Sequence, residues 1–394
     1  MQNSVRSVTR MDGVQAPIIP VVGDIIRQVP GTISLGQGIV HYGPPPEVAE
    51  AVRQALTDPA TNEYAGGTGH PDLVRRIAAK LAAENDINGI EAANGSAIMV
   101  TAGANMAFMH AVLAISEPGD EIILPVPFYF NHEMAIQMAG CRAVAVRTDN
   151  NYCPDLDAIG RAITNRTRAI VTISPNNPTG AVFPAALLRE VNNLCRDRGL
   201  YHISDETYEY FVYGSARHLS PGSLPGAAAH TISIYSLSKA YGMAGWRIGY
   251  AVYPDDLTPA MLKIQDTILI CPTVAAERAA LAALDVGRPY CDPHVRELAT
   301  IRQIVLDALG TLGPVCDVPP AEGAMYCFPR IATDLDAMTL TERLIREHKV
   351  AVTPGSAFGM TDGCYFRVAF GALQRETVAE GIGRLVTGLR AICG

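Results

Sequence analysis

No CxxC pair, no HExxH motif and no Cys/His cluster occurs in this chain of 394 residues, although it carries nine cysteines and nine histidines. The expected thiols are therefore reduced, as in a cytoplasmic protein, and no protein-bound zinc is expected. No apolar run approaches the roughly 18 residues that a membrane helix needs. The polar opening MQNSVRSVTRMDG has no stretch that resembles a signal peptide. Positive charge is scarce: 31 Lys and Arg stand against 39 Asp and Glu, a formal net charge of −8. With no basic face and no long charge run, partners such as nucleic acid or an anionic membrane are disfavoured. Internal repeats and low-complexity blocks are also missing.

What is present is core material. Hydrophobic residues make up 48% and charged residues 18%, which suits a globular chain of two or three domains. From about residue 97 to 253, Val- and Ile-rich runs (AIMVT, EIILPV, RAVAVRT, RAIVTIS, YHISDE, TISIYS, WRIGYAVY) read as strands. Helical stretches separate several of them: ANMAFMHAVLAIS, NHEMAIQMAG and AALLREVNNLCRDR. Such alternation predicts an α/β domain with a largely parallel sheet, whose ligands gather at the carboxyl ends of the strands. A long helix is expected after Pro293, followed by a smaller α/β unit with strands in AMYCFPR, VAVTPG and YFRVAFG and a final helix near 375–390. The Gly- and Pro-rich segment 31–46 reads as a structured loop crossing between the units.

Several strand ends carry candidate chemistry. TAGAN (Thr101 to Asn105) places small residues at a helix start, suited to a phosphate or simply to a tight turn. Asn177, in SPNNPTG, is a turn former or a ligand. Asp205 ends an apolar strand, where a carboxylate is costly without a partner; a salt bridge or a helix cap would also explain it, and Tyr208 follows three residues on. Lys239, in SLSK, sits at a strand end with no neighbouring acid in sequence. A lysine in apolar surroundings loses pKa and becomes a nucleophile that forms Schiff bases, whereas an ordinary lysine reaches out to solvent. Arg247 suits a phosphate or a surface ion pair. Arg367, in YFRVAFG, suits a bound carboxylate or a core acid. A phosphate cradle, an acid for a ring nitrogen, a Schiff-base lysine and a carboxylate-binding arginine together are what pyridoxal 5′-phosphate requires.

On SLSKAYGMAGWRIG, TAGAN, NNPTG, DETY and FRVAFG, the sequence resembles the fold-type I, class I pyridoxal-phosphate aminotransferases along essentially its whole length. TAGAN, PFYFN, TYEYF and the stretch around KIQDTILIC look most like a branch acting on methionine and aromatic amino acids. The resemblance implies an aspartate aminotransferase-like α/β fold. A large domain (46–288) would hold a mostly parallel seven-stranded sheet flanked by helices. A smaller α/β domain (289–394) would follow, and an N-terminal segment (1–45) would pack on the small domain and the active-site mouth. By the same resemblance, Lys239 is the Schiff-base amine and proton shuttle, and Asp205 pairs with the pyridinium nitrogen. Asn177 and Tyr208 bond the phenolic oxygen of the ring, and Asn177 also adjoins the substrate. Gly103, Ala104, Ser236, Ser238 and Arg247 fall at phosphate positions, with Asn105 beside them among the cofactor-binding residues. Tyr129 stacks on the ring. Arg367 holds the substrate α-carboxylate, with Gly38 backbone nearby. Tyr64 matches a tyrosine reaching the phosphate of a neighbouring subunit, which implies a homodimer with shared sites.

The implied reaction is reversible ping-pong transfer of an amino group between an L-amino acid and a 2-oxo acid. Asn105 stands where some acidic-substrate members carry a lysine, and no second arginine is evident, so a methionine, aromatic or other neutral donor is expected. An aspartate or prephenate-type aminotransferase and a pyridoxal-phosphate lyase are the alternatives on this scaffold. A ligand sensor with a DNA-binding domain is disfavoured: only about 35 residues precede SLGQG, without a helix-turn-helix pattern.

Overall fold

The structure, a computed structural model, describes residues 9–90 and 95–394. The first part of the polar opening, residues 1–8, lies outside the described residues. Helix α1 (Ile18–Gln28) and the short strand β1 (Ile33–Ser34) precede helices α2 (Pro46–Ala55) and α3 (Pro71–Glu84). Strands and helices then alternate: β2 (Ser96–Thr101), α4 (Ala104–Ile115), β3 (Glu121–Val126), α5 (Phe130–Met138), β4 (Arg142–Arg147), α6 (Leu156–Ala162), β5 (Thr167–Ile173), α7 (Ala185–Arg198), β6 (Tyr201–Asp205), β7 (Thr231–Ser236) and β8 (Gly249–Pro254).

These strands form one seven-stranded sheet in the order β2-β8-β7-β6-β5-β3-β4, in which only β8 runs antiparallel to its neighbours. Its strands read as unbroken apolar runs because both faces are covered. Ile122 and Leu124 of β3 pack on one side with Ala169 and Val171 of β5, while Ile123 and Ile170 pack on the other against Val191 and Cys195 of α7. Helix α7 stops at Gly199, whose φ of 64° supplies the left-handed cap.

Helices α8 (Thr258–Ile268) and α9 (Val274–Val286) lead to the long α10 (Arg288–Gly310). Here the chain departs from expectation: α10 begins before Pro293 and runs through it. A proline in the second turn removes only one helical hydrogen bond, so the helix survives. The remainder holds β9 (Cys316–Asp317), β10 (Tyr326–Cys327), β11 (Arg330–Ile331), α11 (Ala337–His348), β12 (Val350–Ala351), β13 (Thr353–Pro354), β14 (Cys364–Ala369) and α12 (Arg375–Cys393). Strand β14 is the spine of this second sheet, pairing with β10, β11 and β13. Strand β1 pairs in parallel with β12, and Val22 of α1 clusters with Ile345 and Ala351, so the N-terminal segment packs on this C-terminal unit. Among the described residues, no helix is long and apolar enough to cross a membrane.

Candidate active site

The carboxyl ends of β2, β5, β6 and β7 open on one edge of the large sheet, and a cavity of about 420 Å³ lies there. Gly38, Ala104, Asn105, Tyr129, Asn177, Asp205, Tyr208, Ser236, Ser238, Lys239, Arg247 and Arg367 all line it. Gly103 lies just behind the lining, and Tyr64 lies apart from it, 79% exposed on its own chain. Pro17, Ile19, Phe130, Asn131, Ile173, Thr207 and Tyr326 line it too, none of them singled out from the sequence.

At one end, α4 starts directly after β2. Gly103 caps it with φ +83°, and a Cβ there would strike the Arg247 guanidinium. Arg247 has a left-handed backbone, φ 53°, which ends the WRIG segment as a turn and delays β8 to Gly249. Its Nη1 donates to Ala244 O at 2.8 Å, and no carboxylate pairs with it among the described residues. The Ser238 N–H donates to Ser236 Oγ at 3.1 Å, which folds the strand end into a cup. A helix start, two serines and an arginine without a carboxylate partner are the kind of donors that an anion cradle needs.

Asp205, 6% exposed, closes β6. His132 Nε2 lies 3.2 Å from its Oδ2, and the Thr207 N–H donates to its Oδ1 at 3.0 Å. Burial alone would push this carboxyl up; the bonds from His132 and Thr207 outweigh it and hold the group below its ordinary value. A cationic partner for Asp205 is expected from the sequence, but nothing in the sequence points to His132.

Lys239 follows the end of β7, and its Nζ donates to Gly38 O. Burial first, then the nearby Arg367 and Arg247, pull its amine down to about 8, against a smaller upward pull from Asp205. Tyr208 and Tyr326 share a hydrogen bond of 2.6 Å between hydroxyls, and burial raises both. In the NNPTG turn the two asparagines divide the labour. Asn176 Oδ1 accepts from Thr179 N and Oγ1 and shapes the turn, while Asn177 Oδ1 accepts from Arg367 Nη1 at 2.9 Å.

Arg367, on β14, is 2% exposed. Its Nη2 donates to Gly36 O at 2.8 Å and its Nε is buried without a partner. Its guanidinium lies 4.6 Å from the Tyr326 ring centroid and 5.2 Å from that of Phe358. No carboxylate pairs with it among the described residues, so the core acid that would have explained it is absent. A buried cation in this state calls for an anion from outside the chain.

One cavity thus joins an anion cradle, an ionised buried aspartate, an amine of lowered pKa and a buried arginine lacking a counter-ion. A family model described as "Aminotransferase class I and II" matches residues 30–385. An Arabidopsis thaliana protein named aromatic aminotransferase ISS1 is 33% identical over 390 residues, covering 96% of this chain and 95% of that protein. An aspartate aminotransferase of Pyrococcus abyssi is 34% identical over 386 residues, covering 97% of each. A solved structure of a Thermus thermophilus aspartate aminotransferase single mutant superposes with a TM-score of 0.90 at 30% identity, covering 98% of this chain and 100% of that one. The chain belongs to the class I and II aminotransferases and has their fold-type I architecture. It is an aminotransferase, in a family of pyridoxal-phosphate enzymes.

Proposed function

We propose that this aminotransferase holds pyridoxal 5′-phosphate in the cavity at Lys239 and transfers amino groups from a neutral L-amino acid, methionine or an aromatic one, to a 2-oxo acid. The observation that carries the reading is Arg367, buried without a carboxylate in the same cavity as Lys239 and Asp205. The residues fit the cofactor. The space that a Cβ at Gly103 would fill keeps the helix start beside Arg247 open to a phosphate, and Asp205 is held ionised for a ring nitrogen.

When bound, the cofactor supplies an aldehyde that condenses with amines and a ring that accepts the electron pair left at the substrate Cα. Gly103, Ala104, Asn105, Ser236, Ser238 and Arg247 would hold the phosphate. Asp205 would hold a proton on the ring nitrogen, and Tyr129 would lie against the ring. Tyr208 and Asn177 would bond the phenolic oxygen. Arg367 orients the donor through its α-carboxylate, with Asn177 and the Gly38 backbone beside it. Lys239 Nζ, drawn down to about 8 by burial, would be the base for the donor's Cα proton once the cofactor is in place. Pro17, Ile19 and Phe130 give the cavity an apolar part of its wall.

For the donor, the charge balance supports a neutral side chain. Lys239, Arg247 and Arg367 are the cationic residues lining the cavity, and each already has a task. An aspartate or prephenate-type substrate is the second reading, favoured by the relative named aspartate aminotransferase.

A cytoplasmic homodimer in which Tyr64 of each chain serves its neighbour's phosphate site belongs to the same proposal, supported by the exposure of Tyr64 and Leu56 at 79% and 71%. So does the division into residues 1–45, 46–288 and 289–394, supported by the β1–β12 pairing. The test is a panel of amino acids against several 2-oxo acids. Transfer from methionine, phenylalanine or tyrosine that outpaces transfer from aspartate supports the reading. Pyruvate and ammonia released without any 2-oxo acid would make the enzyme a lyase instead.

A further inference from the structure

One loop grips Lys239 at two points. Gly38 O accepts from Lys239 Nζ. Four residues on, the Tyr42 hydroxyl donates to the backbone carbonyls of Lys239, at 3.2 Å, and Ala240, at 3.4 Å. The Lys239 carbonyl also takes the Gly242 N–H at 3.1 Å, so this hydroxyl closes from outside a turn that the backbone closes from within. Loop and turn meet backbone to backbone: a Cβ on Gly242 would lie 2.6 Å from Tyr42 O and 2.5 Å from Gly43 O.

The Tyr42 ring is itself fixed by α10. It stacks on His294 with centroids 3.7 Å apart and planes 8° from parallel, and Tyr290 meets its edge at 6.4 Å. Tyr290 also donates to Gly43 O. Burial pushes the Tyr42 hydroxyl well above its ordinary range, so it remains a donor at working pH.

We propose that Tyr42 is a positioning residue for the Lys239 amine: its hydroxyl fixes the turn that carries the lysine, and its stack on His294 ties that turn to α10. The proposal rests on the reading of Lys239 as the reactive amine. Burial is the largest cause of the lowered Lys239 pKa. A turn released from Tyr42 lets water reach Nζ, and the amine then moves back toward its ordinary value of 10.5.

The test uses Tyr42→Phe, which keeps the ring and its stack and loses only the hydroxyl. In cofactor-free protein, the rate of reductive methylation at Lys239 is followed against pH by site-resolved mass spectrometry, with exposed Lys263 as the internal control. The Lys239 midpoint is expected to rise by about 0.5–1 pH unit, with labelling near neutral pH falling about 3–10-fold and Lys263 unchanged. His294→Ala, which removes the stack, shifts it in the same direction by less. A folded Tyr42→Phe protein with an unshifted or lowered midpoint overturns the proposal. Should that variant not fold, an unshifted midpoint in His294→Ala overturns it in its place. A purely structural tyrosine would lower thermal stability and leave the midpoint alone. Because the readout needs no cofactor, this failure is distinct from failure of the cofactor reading, in which the wild-type protein takes up no pyridoxal phosphate.

Discussion

His132 Nε2 stands 3.2 Å from Asp205 Oδ2, and the same imidazole stacks on Phe108 with centroids 3.9 Å apart. The pair joins the first turn of α5 to the end of β6 and keeps a buried carboxylate ionised.

Replacing His132 with Phe keeps a ring over Phe108 and leaves Asp205 facing burial with fewer bonds. A hydrogen bond to a charged group is worth about 1.5–3 kcal/mol, so the cofactor dissociation constant is expected to rise about 10–100-fold. The pH response has a defined sign. The Asp205 pKa lies below its ordinary 3.8 in the folded state, so its contribution is present above that value and is lost as pH falls through the lower folded pKa. In His132→Phe the pKa rises, and cofactor binding is lost at a higher pH than in wild type. Cofactor titrations across the acidic range check this.

Arg367→Met removes a cation that has no carboxylate to leave unpaired. Donor affinity is expected to fall by about 2–5 kcal/mol. The thermal stability of the cofactor-free protein should change far less, since no buried anion is stranded. Donor binding by absorbance and unfolding by calorimetry separate the two effects. Equal losses in both would make Arg367 a structural residue.

Gly103→Ala places a methyl group against Arg247 at a backbone φ of +83°. That positive-φ, extended backbone alone costs a non-glycine residue on the order of 1–3 kcal/mol. The loss is expected mainly in cofactor affinity, because α4 and Arg247 must move apart where the phosphate binds. Equilibrium dialysis of the cofactor reads it, and unchanged affinity contradicts the cradle.

Lys239→Met in cofactor-free protein should raise stability. The amine falls from 10.5 to about 8 on folding, so the unfolded chain binds more protons between those values and stability rises with pH across that window. Below it the lysine carries the full penalty, on the order of 3 kcal/mol. Urea unfolding near neutral pH is expected to show a gain of that order in the variant, and a loss would mean the amine is not strained.

Mixing two inactive variants tests the shared site. If Tyr64 serves its neighbour, Tyr64→Ala and Lys239→Ala chains form mixed dimers with one intact site, and random exchange restores about a quarter of the sites. Activity that stays absent in exchanged mixtures contradicts the arrangement.

The sheet is legible in the sequence because strands covered on both faces are continuous Val/Ile runs, as in EIILPV and RAIVTIS. Lys239 and Arg367 are legible because each follows or occupies such a run with no charged neighbour, and Asp205 because it closes one, with Glu206 next to it. His132 and Tyr326 are not. Each is a single residue in a short segment whose pattern does not mark it out, and its partner is set by packing: α5 against the end of β6, and β10 against the Tyr208 turn. The start of α10 is hidden for another reason, since Pro293 reads as a boundary although the second helical turn tolerates it. Arg247 is assigned from the sequence to a strand, and its left-handed backbone is visible only in three dimensions.

The most direct test is to saturate the purified protein with pyridoxal 5′-phosphate, reduce it with borohydride and locate the product by peptide mass spectrometry. The account predicts one phosphopyridoxyl group per chain, on Lys239, with the yellow colour lost in Lys239→Ala. A protein that takes up none, or carries it on exposed lysines while Lys239 stays free, contradicts it.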